Sequence, residues 1–157
     1  MPRLNVHYRT ATLADVAEMA RCRLADPAAG PVDHRIAAYL EGKHHPRQAL
    51  EARVAYIALV GDDVVGYIAG HLTRRFECHG ELQYLFVDPS RRRLGIAAQL
   101  LRELARWFTE QGAGVICVDV EPGNAPARAF YKRNGAVDLH PSWLVWNDIR
   151  SVDAGAA

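Results

Sequence analysis

Leu85-Phe-Val-Asp-Pro-Ser-Arg-Arg-Arg-Leu-Gly-Ile-Ala97 is the stretch on which the fold turns. An apolar run of strand character stops at Asp88-Pro89, where proline removes the donor that ladder pairing needs. Arg91, Arg92 and Arg93 follow, then Gly95 and Ala97, and then an apolar pattern of a different period. Leu100, Leu104, Trp107 and Phe108 recur at i, i+4, i+7 and i+8, with Leu101 beside them, on one face of a long helix. The first amides of a helix lack intrahelical partners and carry partial positive charge, so this junction attracts phosphates. Gly95 and Ala97 are small enough for a diphosphate to approach the backbone, and a neighbouring arginine adds a charged clamp. There is no Gly-Lys-Ser/Thr and no G-x-G-x-x-G, which excludes a Walker loop and a dinucleotide fingerprint.

Working outward, Leu4, Val6 and Tyr8 alternate with polar residues as a first strand. Thr12 is placed to cap a helix carrying Leu13, Val16, Ala17 and Ala20. Asp26 to Pro31 breaks it, and a second helix is expected from about Asp33 to Gly42. Val54–Val60 and Val64–Gly70 flank Gly61-Asp62-Asp63 as a hairpin. A fourth strand runs from Glu81 to Val87, and Gly112 and Gly114 end the long helix. Val115–Val120 is a fifth strand and Asn124–Asn134 a short helix stopped by Gly135. Strands near Val137 and Leu144 come last, with a frayed tail after Val152. The order β-α-α-β-β-β-α-β-α-β-β specifies an α/β class, with an α+β mixed sheet covered by helices on both faces.

The 157 residues are half hydrophobic, and nineteen Lys and Arg against eighteen Asp and Glu leave a formal net charge of +1. A chain of that length buries roughly 68–70% of its unfolded surface and suits one domain, residues 1–157. The composition argues against disorder, and the balanced charge against a general nucleic-acid binder. Apolar stretches are far shorter than the ~20 residues that span a bilayer, and MPRLNVHYRT has no signal-peptide core. Cys22, Cys78 and Cys117 form no C-x-x-C and read as free thiols, so a cytoplasmic protein is expected. A nucleophilic cysteine is the competing reading. His44-His45 lack any companion ligand spacing, which points to a solvated loop and no metal.

Two motifs in this order resemble those of one family. Arg92-Arg-Leu-Gly95-Ile-Ala97, after a V-D-P strand end, resembles the acetyl-CoA signature R/Q-x-x-G-x-G/A of the GNAT N-acetyltransferase superfamily. Asn124-Ala-Pro-Ala-Arg-Ala-Phe-Tyr131-Lys-Arg-Asn-Gly135 resembles its N-x-x-A-x-x-x-Y-x-x-x-G element. The matching order of elements covers roughly residues 4–148. Arg93 departs from the pattern where many members have glycine, and Ala136 where an aromatic often follows the last glycine.

The resemblance implies a GNAT-like sheet with splayed fourth and fifth strands, and acetyl-CoA as acetyl donor. Its diphosphate would lie on the amides of Arg93, Leu94, Gly95, Ile96, Ala97 and Ala98, with Arg92 nearby. Pantetheine would run along Leu85, Phe86 and Val87 like an added strand, and a fourth-strand N–H would polarise the thioester carbonyl. Amine attack on a thioester needs a base for the amine and an acid for the sulfur. Tyr131 matches the family's acid; Asn124, seven residues earlier on the same helix face, would cap the helix and bind the pantetheine arm. Packing and capping alone are their bland readings. Glu81 and Asp119 are the candidate bases, Glu121 a third carboxylate, and a water chain the alternative.

Acceptor recognition is expected from Arg23 to Tyr39 and from the last strands with His140 and Trp143. The acceptor is a small-molecule amine or a protein or peptide amine. Trp143 and Trp146 also read as core or homodimer contacts. A non-catalytic acyl-CoA-binding or regulatory module needs the cradle but neither Tyr131 nor a base. Nucleic-acid binding through Arg74, Arg75 and Arg91–Arg93 is disfavoured, since no aromatic residues interleave a basic strand.

Overall fold

The computed structural model describes residues 4–24, 26 and 35–154. The first half is organised by a long hairpin, β2 (Ala49–Val60) and β3 (Asp63–Thr73), reversing at Gly61 with φ +61°. Both strands outrun the apolar segments that announce them, because cross-strand pairs such as Arg53↔His71 and Ala49↔Thr73 continue the ladder. β1 (His7–Thr10) lies along β2 and starts three residues later than the expected strand, since its register begins at His7↔Leu59 and β2 ends at Val60. The expected first helix opens as a 3-10 turn over Leu13–Asp15 before becoming α1 (Val16–Leu24). Thr12 N–H donates to Asp15 Oδ2 at 2.8 Å, the capping-box bond, and Arg9 grips the same carboxylate through two 2.9 Å bonds. α2 (Arg35–Leu40) ends before Gly42, which takes φ +77°. The break at 27–31 and the start of the second helix at 33–34 lie outside the described residues.

The second half supplies β4 (Gly80–Val87), α3 (Ile96–Glu110), β5 (Ile116–Asp119), α4 (Ala125–Arg133), β6 (Val137–His140), β7 (Trp143–Trp146) and α5 (Ser151–Ala154). Ile149 and Val152 are buried in the main core, and α5 runs two residues into the expected tail, to Ala154; residues 155–157 lie outside the described residues. One seven-stranded sheet has the order β1-β2-β3-β4-β5-β7-β6. Every neighbour pair is antiparallel except β4 and β5.

That parallel pair spans only Gly80↔Ile116, Glu81↔Cys117 and Leu82↔Val118. β4 then continues to Val87 without β5, so the sheet forks in its middle. A bulge stands at the fork: Gly70 pairs Leu82 and Ala69 pairs Tyr84, which leaves Gln83 without a ladder partner. The extra residue reverses the in–out alternation of β4. Leu82 faces the α3 core, whereas beyond the bulge Leu85 and Val87 do, and Tyr84 and Phe86 face α1 and α2.

The core therefore has two parts. Leu100, Leu101, Leu104 and Phe108 of α3, each 1% exposed or less, pack on one face with α4 and α5. Burial of each such side chain stabilises by about 1.5–3 kcal/mol. Met19, Cys22, Ile36 and Tyr39 of α1 and α2 cover the other face. Gly80 permits the close approach of α3, since a Cβ there would run into the Phe108 ring and come 2.9 Å from Ile116 Cδ1.

Candidate active site

Two hollows meet at the fork. On the α3 side, a groove of about 800 Å³ runs between the start of α3 and one flank of α4. Leu85, Phe86 and Val87 floor it, and Arg91, Arg92, Arg93, Gly95, Ile96, Ala97 and Ala98 close one end. Gly95 is the N-cap of α3 at φ +78°, in the left-handed region that glycine enters without penalty. The first intrahelical bond runs from Gln99 N–H to the Gly95 carbonyl at 3.0 Å. The amides of Ile96, Ala97 and Ala98 precede it and remain available to an anion. Leu94 is more than half exposed and lies outside the groove lining.

Arg93 also takes a left-handed conformation, φ +66°. The pattern's glycine is thus a conformational requirement that this chain meets with arginine, at a cost of about 1–2 kcal/mol. Arg92 is drawn inward. Its Nε donates to the Val87 carbonyl at 3.1 Å and its Nη2 to Asp26 Oδ2 at 2.7 Å. It buttresses the strand end and one side of the groove, and its charge is already shared with Asp26.

On the α1–α2 side, a cleft of about 490 Å³ enters the fork. Glu81, Asp119, Glu121, Arg23, Arg35 and Arg75 give it charged walls, and Trp143 lies at its rim. Leu85, Asn124, Ala127 and Tyr131 line both hollows, so groove and cleft communicate through the sheet. The fork creates the passage: where β4 and β5 stop pairing, no backbone ladder separates the two faces.

Glu81 is 4% exposed. Burial pushes its carboxyl up to about 7, against the pull of Arg75 and with a further push from Asp119. Arg75 Nε stands 3.3 Å from Glu81 Oε1, yet the geometry makes no hydrogen bond. The guanidinium is held elsewhere, its Nη2 donating to the Arg47 carbonyl at 3.0 Å and its plane over Trp143 at 4.8 Å. Desolvation of Glu81 is therefore only partly offset. Asp119, at the exposed end of β5, is also raised, by burial first, against Arg75 and with Glu121 assisting. Glu121 lies beyond the last residue of β5 but still lines the cleft.

Tyr131 is 6% exposed, set edge-on to Trp146 at 5.6 Å, and its hydroxyl makes no hydrogen bond among the described residues. Burial alone raises its pKa, so it carries its proton at neutral pH. Asn124 caps α4, its side chain accepting from Ala127 N–H at 3.3 Å. Trp146 is core: its indole N–H donates to the Asn134 carbonyl at 3.0 Å and the side chain is fully buried. His140 stacks with Phe76 at 4.8 Å, beside Trp143. Residues 25 and 27–34 of the expected acceptor segment lie outside the described residues.

Two site residues escaped the sequence reading, His71 beside Glu81 and Gln83, which joins the cleft wall from the bulge. Tyr39, the last residue of the expected acceptor segment, bonds His71 instead, and Arg75, named only for nucleic-acid binding, stands against Glu81. The signal for His71 was its place opposite Glu81 in the β3–β4 ladder, which becomes visible once the register is known. Cys78 and Cys117, distant in sequence, share one small buried cluster. Burial pushes the Cys22 thiol up to about 12, and none of the three cysteines lines either hollow. His45 Nδ1 accepts from Arg53 Nη2 at 2.6 Å, and among the described residues no group of three His, Cys, Asp or Glu is placed to hold a metal ion. Among the same residues no helix is long and apolar enough to cross a membrane.

A family model described as the acetyltransferase (GNAT) family matches residues 19–136, more than half the chain. The protein belongs to the GNAT family. No curated protein sequence matches it. A putative GNAT acetyltransferase from Desulfovibrio desulfuricans superposes with a TM-score of 0.75 at 20% identity, over 92% of this chain and 99% of that one. The PaiA N-acetyltransferase of Thermoplasma acidophilum, solved with coenzyme A, gives 0.64 at 15% identity, over 90% and 97%. The ribosomal-protein-S18-alanine N-acetyltransferase of Escherichia coli gives 0.68 at 16% identity, over 87% and 80%. At these identities the likeness is one of GNAT fold.

Proposed function

We propose that this GNAT protein is an acetyl-CoA-dependent N-acetyltransferase that acetylates a primary amine by direct attack on the thioester. The observation that carries the proposal is the continuity of the two hollows at Tyr131, with Glu81 on the cleft side. A donor in the groove and an amine in the cleft would meet at the fork without either crossing a strand. The groove suits the donor chemically: three unpaired helix amides at one end receive a diphosphate, and an apolar floor beside β4 follows. Acetyl-CoA, when bound, supplies the activated acetyl group; the remaining work falls to this chain.

Glu81 takes one proton from the ammonium of the acceptor, a role suited to a carboxyl whose pKa lies near 7. The freed nitrogen lone pair forms the new bond to the acetyl carbon as the carbon–sulfur bond breaks. Tyr131 gives its hydroxyl proton to the departing sulfur, and the second ammonium proton replaces it. Asp119 remains the alternative base, at the more open end of the same cleft. Asn124 caps the start of α4, the helix that carries Tyr131 in its last turn, and borders the donor path. The acceptor is a small amine or a protein amine. Three free buried thiols support a reducing, cytoplasmic setting.

The test combines acetyl-CoA titration with a turnover screen over small amines and peptide N-termini. Wild type is expected to bind acetyl-CoA and release CoA with at least one amine class. Tyr131→Phe is expected to keep binding within a few-fold and lose about 10²–10⁴ in kcat. Tight binding with no turnover across the panel would leave a non-catalytic acyl-CoA module instead.

A further inference from the structure

His71, Thr73 and Glu81 are buried polar residues of this sheet, and two of them face each other. His71 on β3 is directly opposite Glu81 on β4 in the antiparallel register. His71 is fully buried, and its Nδ1 lies 2.8 Å from the hydroxyl of Tyr39 on α2, itself fully buried. Its other nitrogen, Nε2, has no hydrogen-bond partner, and neither has Glu81 Oε1, 3.9 Å away. The gap is slightly too long for a hydrogen bond. Hydrogen bonds of this kind are often long in the free enzyme and tighten with substrate bound.

The tautomer follows from what surrounds the ring. Burial holds the His71 imidazole neutral, down to about 4, and Arg53, Arg75 and His45 push in the same direction. A neutral ring has one N–H and one lone pair. With Glu81 ionised, a lone pair on Nε2 would oppose a carboxylate, whereas an N–H there would complement it. Tyr39 makes the second arrangement complete by donating its O–H to Nδ1. Arg75 on the loop after β3 approaches the same Oε1, and Asp119 on β5 is the like charge across the cleft.

We infer that His71, fixed as its Nε2–H tautomer by Tyr39, is a positioning residue that orients the Glu81 carboxylate and supplies the N–H that keeps it ionisable. The inference rests on the reading of Glu81 as base. His71 is fully buried and lines neither hollow, whereas Glu81 lines the cleft, so the action of His71 on the reaction passes through Oε1. Tyr39 also ties this arrangement to α2, whose first residue, Arg35, lines the same cleft. A buried polar chain in an otherwise apolar face, costly to fold unless satisfied, thereby has a purpose.

The experiment follows the Glu81 carboxyl directly, in protein carrying carbon-13 glutamate, with its resonance assigned by its loss in Glu81→Gln. In wild type the titration midpoint is expected near the value of about 7. In His71→Leu, which fills the space but has no N–H, the midpoint is expected to rise enough that the ionised fraction at pH 6 falls about tenfold. His71→Gln places an amide nitrogen near the former Nε2 and is expected to return the midpoint towards wild type. An unmoved midpoint in a cooperatively melting His71→Leu overturns the inference. If His71→Leu does not fold, Tyr39→Phe replaces it; a smaller rise supports the inference and no rise overturns it. Turnover separates the two readings. A Glu81→Gln enzyme that keeps its rate overturns the base and, with it, this role of His71; one that loses its rate while His71→Leu leaves the midpoint in place overturns His71 alone.

Discussion

The groove and the cleft are built by opposite means. The groove presents backbone: helix amides at Ile96–Ala98, a glycine cap and a strand edge, with side chains chiefly small or apolar. The cleft presents side chains: carboxylates and guanidiniums brought from four separate parts of the chain. A backbone site is specified locally, because one strand–turn–helix junction carries all the helix amides that face the diphosphate. A side-chain site depends on sheet register, since Glu81 meets His71 and Asp119 only through pairings made across the sheet. The first tolerates changes of residue that keep the conformation; the second does not.

The sharpest way to separate the two is Glu81→Gln. It should lower kcat by about 10²–10⁴ while leaving acetyl-CoA affinity unchanged, read by steady-state kinetics beside calorimetry. In wild type, a base must be ionised, so kcat/KM should rise with pH through about 7 and level above it, and this limb should vanish in the variant. Gly80→Ala should break both sites together, because residue 80 lies before the fork and a methyl there drives against Phe108. A loss of about 1–3 kcal/mol in denaturant unfolding is expected.

Ala97→Asp is the counterpart on the groove side. A carboxylate among the first amides suits the helix, which offsets part of the lost packing of Ala97 on the core, but repels a diphosphate, so the acetyl-CoA KM should rise about tenfold. An unchanged KM would remove the anion cradle from its place at α3. The smallest effect is expected at Arg93→Gly. Relief of the left-handed conformation, less the extra chain entropy of glycine, should stabilise by about 0.5–1 kcal/mol, without shifting the pH limb.

This contrast also explains what could be read without coordinates. Proline at 89, glycine at 95 and the apolar spacing of 100–108 are local features, and they located the groove and the order of elements. Glu81, Asp119 and Tyr131 were readable from their places relative to the two motifs, Glu81 eleven residues before Arg92, Asp119 five before Asn124 and Tyr131 inside the second, and all three line the cleft. What surrounds Glu81 was not legible. His71 lies ten residues away in a segment that reads as plain hairpin, and its meaning comes only from the β3–β4 register. The inward turn of Arg92 depends on Asp26, sixty-six positions distant. The bulge at Gln83 leaves no sequence mark, since the pattern of glutamine between two hydrophobic residues fits unbroken alternation.

β4 has eight residues for seven ladder partners. Every β3 partner already has its own β4 residue, so taking out Gln83 would leave seven for seven, with each remaining pairing and each face as it stands. What the extra residue alters is spacing along the chain. Glu81 and Leu85 lie four apart, a separation that unbroken alternation puts on one face, yet they look to opposite sides of the sheet. A one-residue deletion at the bulge is therefore a change of length that the base and the groove floor can both survive.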